Sequence, residues 1–196
     1  MNTPWKISNT ACRLVGYPWA RFQFCVNRIP WDHGWRFFGV PIIQKHRQSV
    51  MHFGPGLCLR SSTRSNPLAP NHPVILCTWR AGSRLEVGTN FAMTGGTLCA
   101  AERITIGDNV AVGANTIIVD TDFHPTSLED RKSKPDAGEV ASVLIEDDVF
   151  IGMNCLILKG VTIGKGSVIG AGSVVTTDIP SQVIAAGNPA RVVREL

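Results

Sequence analysis

The sequence predicts an all-β chain wound as a solenoid of six-residue repeats, preceded by an appendage and broken by one long loop. Three observations carry this. Aliphatic residues recur every six positions through Ile145, Ile151, Ile157, Ile163, Ile169 and Val175. Nineteen Gly and twelve Pro stand against a single Tyr, which favours short strands and tight turns over a helical bundle. Finally, the ladder stops between Ile118 and Ile145 and then resumes.

The repeat fits neither the 3.6-residue period of an α-helix nor the period of 2 of a long amphipathic strand. Its unit is Ile-Gly-x-x-small-x. Gly follows the aliphatic position at 152, 164 and 170, and the fifth place holds Val149, Cys155, Val161, Ser167 and Ser173. The same spacing appears at Ile106, Val112 and Ile118, and more loosely at Ile75, Ala81, Val87, Met93 and Cys99. Three units make a triangular coil of about 18 residues, and stacked coils bury the aliphatic ladder. Spacing alone leaves the hand of the coil open.

Before residue 50 the period is absent, and Trp5, Trp19, Trp31, Trp35, Phe37 and Phe38 crowd among basic residues. This reads as an irregular N-terminal cap over residues 1–50, which an open β-helix end needs to avoid edge-to-edge association. The repeat domain then covers 51–196, with the loop at 119–144 and a tail at 181–196. Residues 64–73, rich in Pro and Asn, read as a surface loop.

Charge divides the chain. Residues 1–84 hold eleven Lys/Arg and one acid, Asp32, for a net +10; residues 85–196 hold eight basic and fourteen acidic side chains, for −6. A basic surface attracts phosphate, anionic lipid or acidic glycan, or simply keeps a protein soluble. No nucleic-acid motif accompanies it. The six cysteines (Cys12, Cys25, Cys58, Cys77, Cys99 and Cys155) are scattered without a Cys-x-x-Cys pair, as in a reduced intracellular protein. Without a signal peptide or a run of about 20 apolar residues, the sequence reads as cytoplasmic, with peripheral contact at the inner membrane face through residues 1–50 as the alternative.

The interruption is where chemistry is expected, because a long excursion from a regular solenoid is usually functional. It opens with Asp120-Thr121-Asp122-Phe123-His124-Pro125. From residue 75 onward His124 is the only histidine, and an imidazole can take the proton of an alcohol near neutral pH.

The repeats, the Asp-Phe-His-Pro motif and the ending Gly187-Asn188-Pro189-Ala190-Arg191-Val192-Val193-Arg194 together resemble the hexapeptide-repeat acyltransferases, among them galactoside, maltose and polysaccharide-biosynthesis acetyltransferases. The resemblance covers roughly residues 75–196. It implies a left-handed parallel β-helix and a homotrimer with active sites between subunits. It implies acetyl-coenzyme A as co-substrate and no metal. His124 falls on the catalytic base, and the backbone amide of Met153 on the donor to the oxyanion. Ala114, Gly152, Met153, Ala171 and Thr176 fall along the pantetheine arm, while Arg191 and Arg194 match the pair that meets the nucleotide phosphates. On the acceptor side Thr94 and Glu102 replace the Asn and Asp of the galactoside enzyme, and Asp122 is grouped with them as an acceptor contact.

The function implied is O-acetyl transfer to a hydroxyl of a sugar or polysaccharide precursor. Three other readings compete: N-acetyl transfer to an amino sugar or other amine; a zinc hydratase on the same scaffold, which would need three converging histidines where the repeats supply one; and a non-catalytic glycan- or membrane-binding β-helix.

Overall fold

The computed structural model describes residues 5–196; Met1 to Pro4 of the cap, and the side chains of residues 5–9, 11, 12 and 15, including Trp5 and Cys12, lie outside the described residues. One helix, α1 (Trp5–Val26), leads into strands that stack as three parallel sheets, consistent with the left-handed hexapeptide β-helix. The first face holds β1 (Arg36–Phe38), β4 (Cys58–Arg60), β7 (Ala92–Thr94), β10 (Ala111–Val112), β13 (Phe150–Ile151), β16 (Val168–Ile169) and β18 (Val183–Gly187). The second holds β2 (Ile42–Lys45), β5 (Ile75–Thr78), β8 (Thr97–Ala100), β11 (Ile117–Val119), β14 (Leu156–Ile157) and β17 (Val174–Val175). The third holds β3 (Val50–Phe53), β6 (Arg84–Val87), β9 (Arg103–Ile106), β12 (Val143–Ile145) and β15 (Thr162–Ile163). The last strand, β19 (Ala190–Glu195), turns back antiparallel on β18.

The ladder read from the sequence is the inner wall of the last coils. Ile145, Ile151, Ile157, Ile163, Ile169 and Val175 are all fully buried. Two serines at the fifth place are buried as well. Ser167 donates to the Pro180 carbonyl at 2.6 Å and Ser173 to that of Gly170 at 2.5 Å, so neither hydroxyl is stranded in the core. Because the ladder is close-packed, Ile157→Val should cost about 0.5–1.5 kcal/mol, read as a lower thermal midpoint.

In the earlier coils the looser register is off by one residue at two places. Leu76 and Leu98 point inward, fully buried in the core, whereas Ile75 and Cys99 belong to a separate cluster on the outer side of the second sheet. Ala81 sits in an exposed turn. Strands of three or four residues have inward positions at every second residue, and the turns between them vary, so a fixed step of six drifts to the wrong face.

The N-terminal span also differs from an irregular cap. Twenty-two residues form α1, with Pro18 inside it, and two strands within residues 1–50, β1 and β2, pair in parallel with β4 and β5. Phe24 of α1 is fully buried, edge-on to Trp35 at 5.0 Å and to Phe53 at 5.9 Å, so the helix closes the first coil with an aromatic plug. The Trp35 indole donates to the Gly54 carbonyl at 2.8 Å. The described cysteines are free thiols, four of the five buried. Among the described residues no helix is long and apolar enough to cross a membrane.

Candidate active site

The long loop leaves the fourth coil after β11 and returns at β12. Its base is pinned by backbone: Thr121 bridges Val140, the Asp122 amide donates to the Glu139 carbonyl at 3.0 Å, and that of Ala141 to Asp120 at 3.0 Å. Asp120 is fully buried and accepts from the amides of Ala101 at 2.6 Å and Glu102 at 2.8 Å. Burial pushes its carboxyl above the ordinary range, against the pull of those amides. In mid-loop the short helix α2 (Leu128–Ser133) is capped by Ser127, whose side chain accepts from the Asp130 amide.

His124 stands exposed at the start of this arch. Its Nδ1 lies 2.7 Å from the Pro135 carbonyl oxygen. A carbonyl can only accept, so Nδ1 carries the proton in the neutral ring and Nε2 is left with its lone pair free. That is the form a general base requires.

Four residues that sequence reasoning passed over hold the arch in place. Lys159, from the fifth coil, reaches Asp122 at 3.3 Å and Glu139 at 3.1 Å, and these two carboxylates raise its pKa. Arg80, from the second coil, donates to the carbonyls of Asp136 at 2.8 Å and Gly138 at 3.4 Å. Trp79 meets Phe123 edge-on at 5.9 Å. Gly138 is buried directly against the Phe123–His124 backbone; a Cβ there would sit 2.6 Å from the His124 nitrogen and nearer still to the Phe123 carbonyl carbon. Gly138→Ala is therefore expected to displace the histidine and lower kcat/KM on the order of tenfold, since small misplacements of reacting groups are costly. The melting curve should stay put, because the loop lies outside the ladder.

The residues named from the sequence fall on two edges of the helix. Glu102, Asp122, His124 and Thr176 lie where the second sheet turns into the third. Thr94, Ala114, Gly152, Met153 and Ala171 lie where the first turns into the second. Within one chain the two groups flank the second sheet and do not come together. Thr94 is buried beneath the 64–73 loop, and its hydroxyl accepts from Asn66 Nδ2 at 3.3 Å.

Ala114, Gly152 and Ala171 occupy successive coils, and β19 closes the stack; three coil steps span about 15 Å. A Cβ on Gly152 would sit 2.7 Å from the Ala171 Cα, so the stacking itself demands glycine. Arg191 pairs with Ala186 and Arg194 with Ile184, with an irregularity between Ile184 and Ala185. Paired residues share a face, so this bulge puts both arginines on one side of β19 despite their odd spacing; that side is the outer one, since Ala185 is fully buried. Among the described residues no group of three or more His, Cys, Asp or Glu side chains is placed to hold a metal ion.

Two family models match: the bacterial transferase hexapeptide (six repeats) over residues 142–177, and the hexapeptide repeat of succinyl-transferase over 103–131. The chain belongs to the hexapeptide-repeat acyltransferase family. Among relatives it is 46% identical over 118 residues to the galactoside O-acetyltransferase of Escherichia coli, covering 59% of this chain and 56% of that one. To the 2,3,4,5-tetrahydropyridine-2,6-dicarboxylate N-acetyltransferase of Halalkalibacterium halodurans it is 44% identical over 94 residues, covering 48% and 34%. A galactoside acetyltransferase solved in complex with coenzyme A superposes with a TM-score of 0.51 at 29% identity, over 83% of this chain and 65% of the other. The chain thus spans about a third to just over half of the length of these two sequence relatives.

Proposed function

We propose that this member of the family is an acetyl-coenzyme A-dependent O-acetyltransferase acting on a hydroxyl of a sugar or polysaccharide precursor. The observation that carries the reading is His124, set on the loop that interrupts the ladder, with Nδ1 committed to the Pro135 carbonyl and Nε2 free. The likeness to galactoside O-acetyltransferase supports the same chemistry.

In the reaction the acceptor oxygen attacks the thioester carbonyl carbon as His124 Nε2 takes its proton. The Met153 amide donates to the oxygen that becomes negative. As the carbonyl re-forms, the C–S bond breaks, and the imidazolium returns the proton to the departing thiolate. No acyl-enzyme is needed. Arg191 and Arg194 hold the nucleotide phosphates, while Ala114, Gly152 and Ala171 leave room for the pantetheine arm, with Thr176 reaching it only from the histidine edge of another copy.

Because His124 and Met153 stand on opposite edges of the second sheet, one chain cannot bring them together, and a second copy must complete the site. The outer face of that sheet suits such packing. Its rungs present Ile75, Ile117, Leu156 and Val174 without a charged side chain, beside the buried Cys77, Cys99 and Val119. Three copies with this face towards a threefold axis would set the histidine edge of one against the amide edge of the next. Peripheral membrane contact through residues 1–50 belongs to the same reading, supported by the exposed Trp19–Phe22 stack on α1 at 5.4 Å, beside Arg21.

The test is to incubate the purified protein with acetyl-coenzyme A and a panel of free, nucleotide-linked and lipid-linked sugars, following free thiol and acceptor mass. Acceptor-dependent thiol release with a gain of one acetyl group is the expected result. Transfer confined to amines would replace this reading with the N-acetyl one.

A further inference from the structure

Two cavities outside the catalytic loop adjoin on the N-terminal side of the site, sharing two lining residues. The first, of about 510 Å³, is lined by Val26, Asn27, Arg28, Lys45 and Arg47. The second, of about 480 Å³, shares Asn27 and Lys45 and continues past Gln44 and His46 to Trp79. Each is of a size that takes a small-molecule ligand. No carboxylate lines either one, and among the described residues none forms an ion pair with Arg28, Lys45 or Arg47.

Three cations that converge on one groove without counter-charges repel each other, a cost that an anion of two or more charges removes. Guanidinium and ammonium groups meet phosphate oxygens through charge-assisted hydrogen bonds, with Arg supplying paired donors. At the other end of the groove Trp79 is 51% exposed. It offers an apolar ring face of the kind that stacks on the C–H face of a sugar, and its edge contact with Phe123 places it beside the residue that precedes His124.

We propose that this groove is the acceptor subsite: Arg28, Lys45 and Arg47 bind the diphosphate of a diphosphate-linked sugar, whose ring stacks on Trp79 with a hydroxyl towards His124. The inference rests on the acetyl-transfer reading for its last clause only; the anion site stands on its own geometry. A sugar carried on a nucleoside diphosphate and one carried on a lipid diphosphate share this chemistry. Arg80 is outside the anion site, because its guanidinium is committed to the carbonyls of Asp136 and Gly138.

The experiment is calorimetric titration of the full chain with inorganic pyrophosphate, UDP-glucose, farnesyl diphosphate and free glucose, with coenzyme A titrated separately. Two combined variants are compared with wild type: Arg28→Ala/Lys45→Ala/Arg47→Ala, and Arg191→Ala/Arg194→Ala. The three groove side chains are wholly or partly exposed and pair with no carboxylate, so that variant should melt like wild type. Pyrophosphate affinity is expected to fall about tenfold or more in the groove variant and to persist in the C-terminal one, with the reverse holding for coenzyme A. Trp79→Ala should weaken UDP-glucose while leaving pyrophosphate unchanged. Tighter binding of UDP-glucose than of farnesyl diphosphate would identify a nucleotide carrier, and the opposite order a lipid carrier; either supports the site. Pyrophosphate binding that is absent, or equal in wild type and the groove variant, overturns it. Failure to bind coenzyme A would instead remove the acetyl-transfer reading and leave the anion site standing.

Discussion

His124→Ala should lower kcat by about 10²–10⁴-fold, the usual contribution of a positioned general base, while the protein melts as wild type does. The imidazole is exposed, and its one hydrogen bond is to the Pro135 carbonyl, so little folding energy rides on it. Removing it leaves the donor stack of Ala114, Gly152 and Ala171 untouched, and KM for acetyl-coenzyme A should change little. What disappears is the lone pair on Nε2 that receives the acceptor proton. Thiol release against a sugar acceptor measures this directly, and near-wild-type turnover would remove His124 from the mechanism. The variant also separates O- from N-transfer: an amine that is already deprotonated needs less help from a base, so an amine acceptor should lose much less rate than a hydroxyl.

How far the sequence reveals this molecule depends on strand length. In the last coils β13 to β17 are two residues long, each offers one inward position, and the six-residue step lands on fully buried side chains from Ile151 to Val175. In the first three coils the strands run to three or four residues. Leu76 and Leu98 rather than Ile75 and Cys99 then fill the core, and β1 and β2 precede any visible repeat. Helix α1 is hard to see because Gly16 and Pro18 lie inside it, both poor helix formers.

The site divides in the same way. His124 is legible because the ladder breaks around it. The groups that aim it come from elsewhere: Pro135 across the arch, Arg80 from two coils earlier, and Lys159 from the next coil on. Stacking brings them together over separations that carry no local pattern. Arg191 and Arg194 are a partial case, since their family position is readable whereas the bulge that aligns them is a property of the β18–β19 pairing.

Met153 gives the second large effect, and it tests the backbone and the side chain separately. No acceptor within the described chain takes the Met153 amide, and Met153 immediately precedes Asn154, which adopts φ +55° in the same turn. Proline is well tolerated at the position before such a residue, with its φ already set. Met153→Pro should thus keep the turn and the fold while deleting only this donor. Loss of one oxyanion donor costs about 10²–10³ in kcat, whereas Met153→Ala, which keeps the amide, should remain near wild type. Equal losses in the two variants would mean that the side chain matters and the amide does not. The pair of inactive variants also tests the assembly. If the base and the oxyanion donor come from different copies, co-refolding His124→Ala chains with Met153→Pro chains creates some interfaces where an intact histidine faces an intact amide, and part of the activity returns. If both groups acted from one chain, every chain in the mixture would lack one of them, and the mixture would stay as inactive as its components.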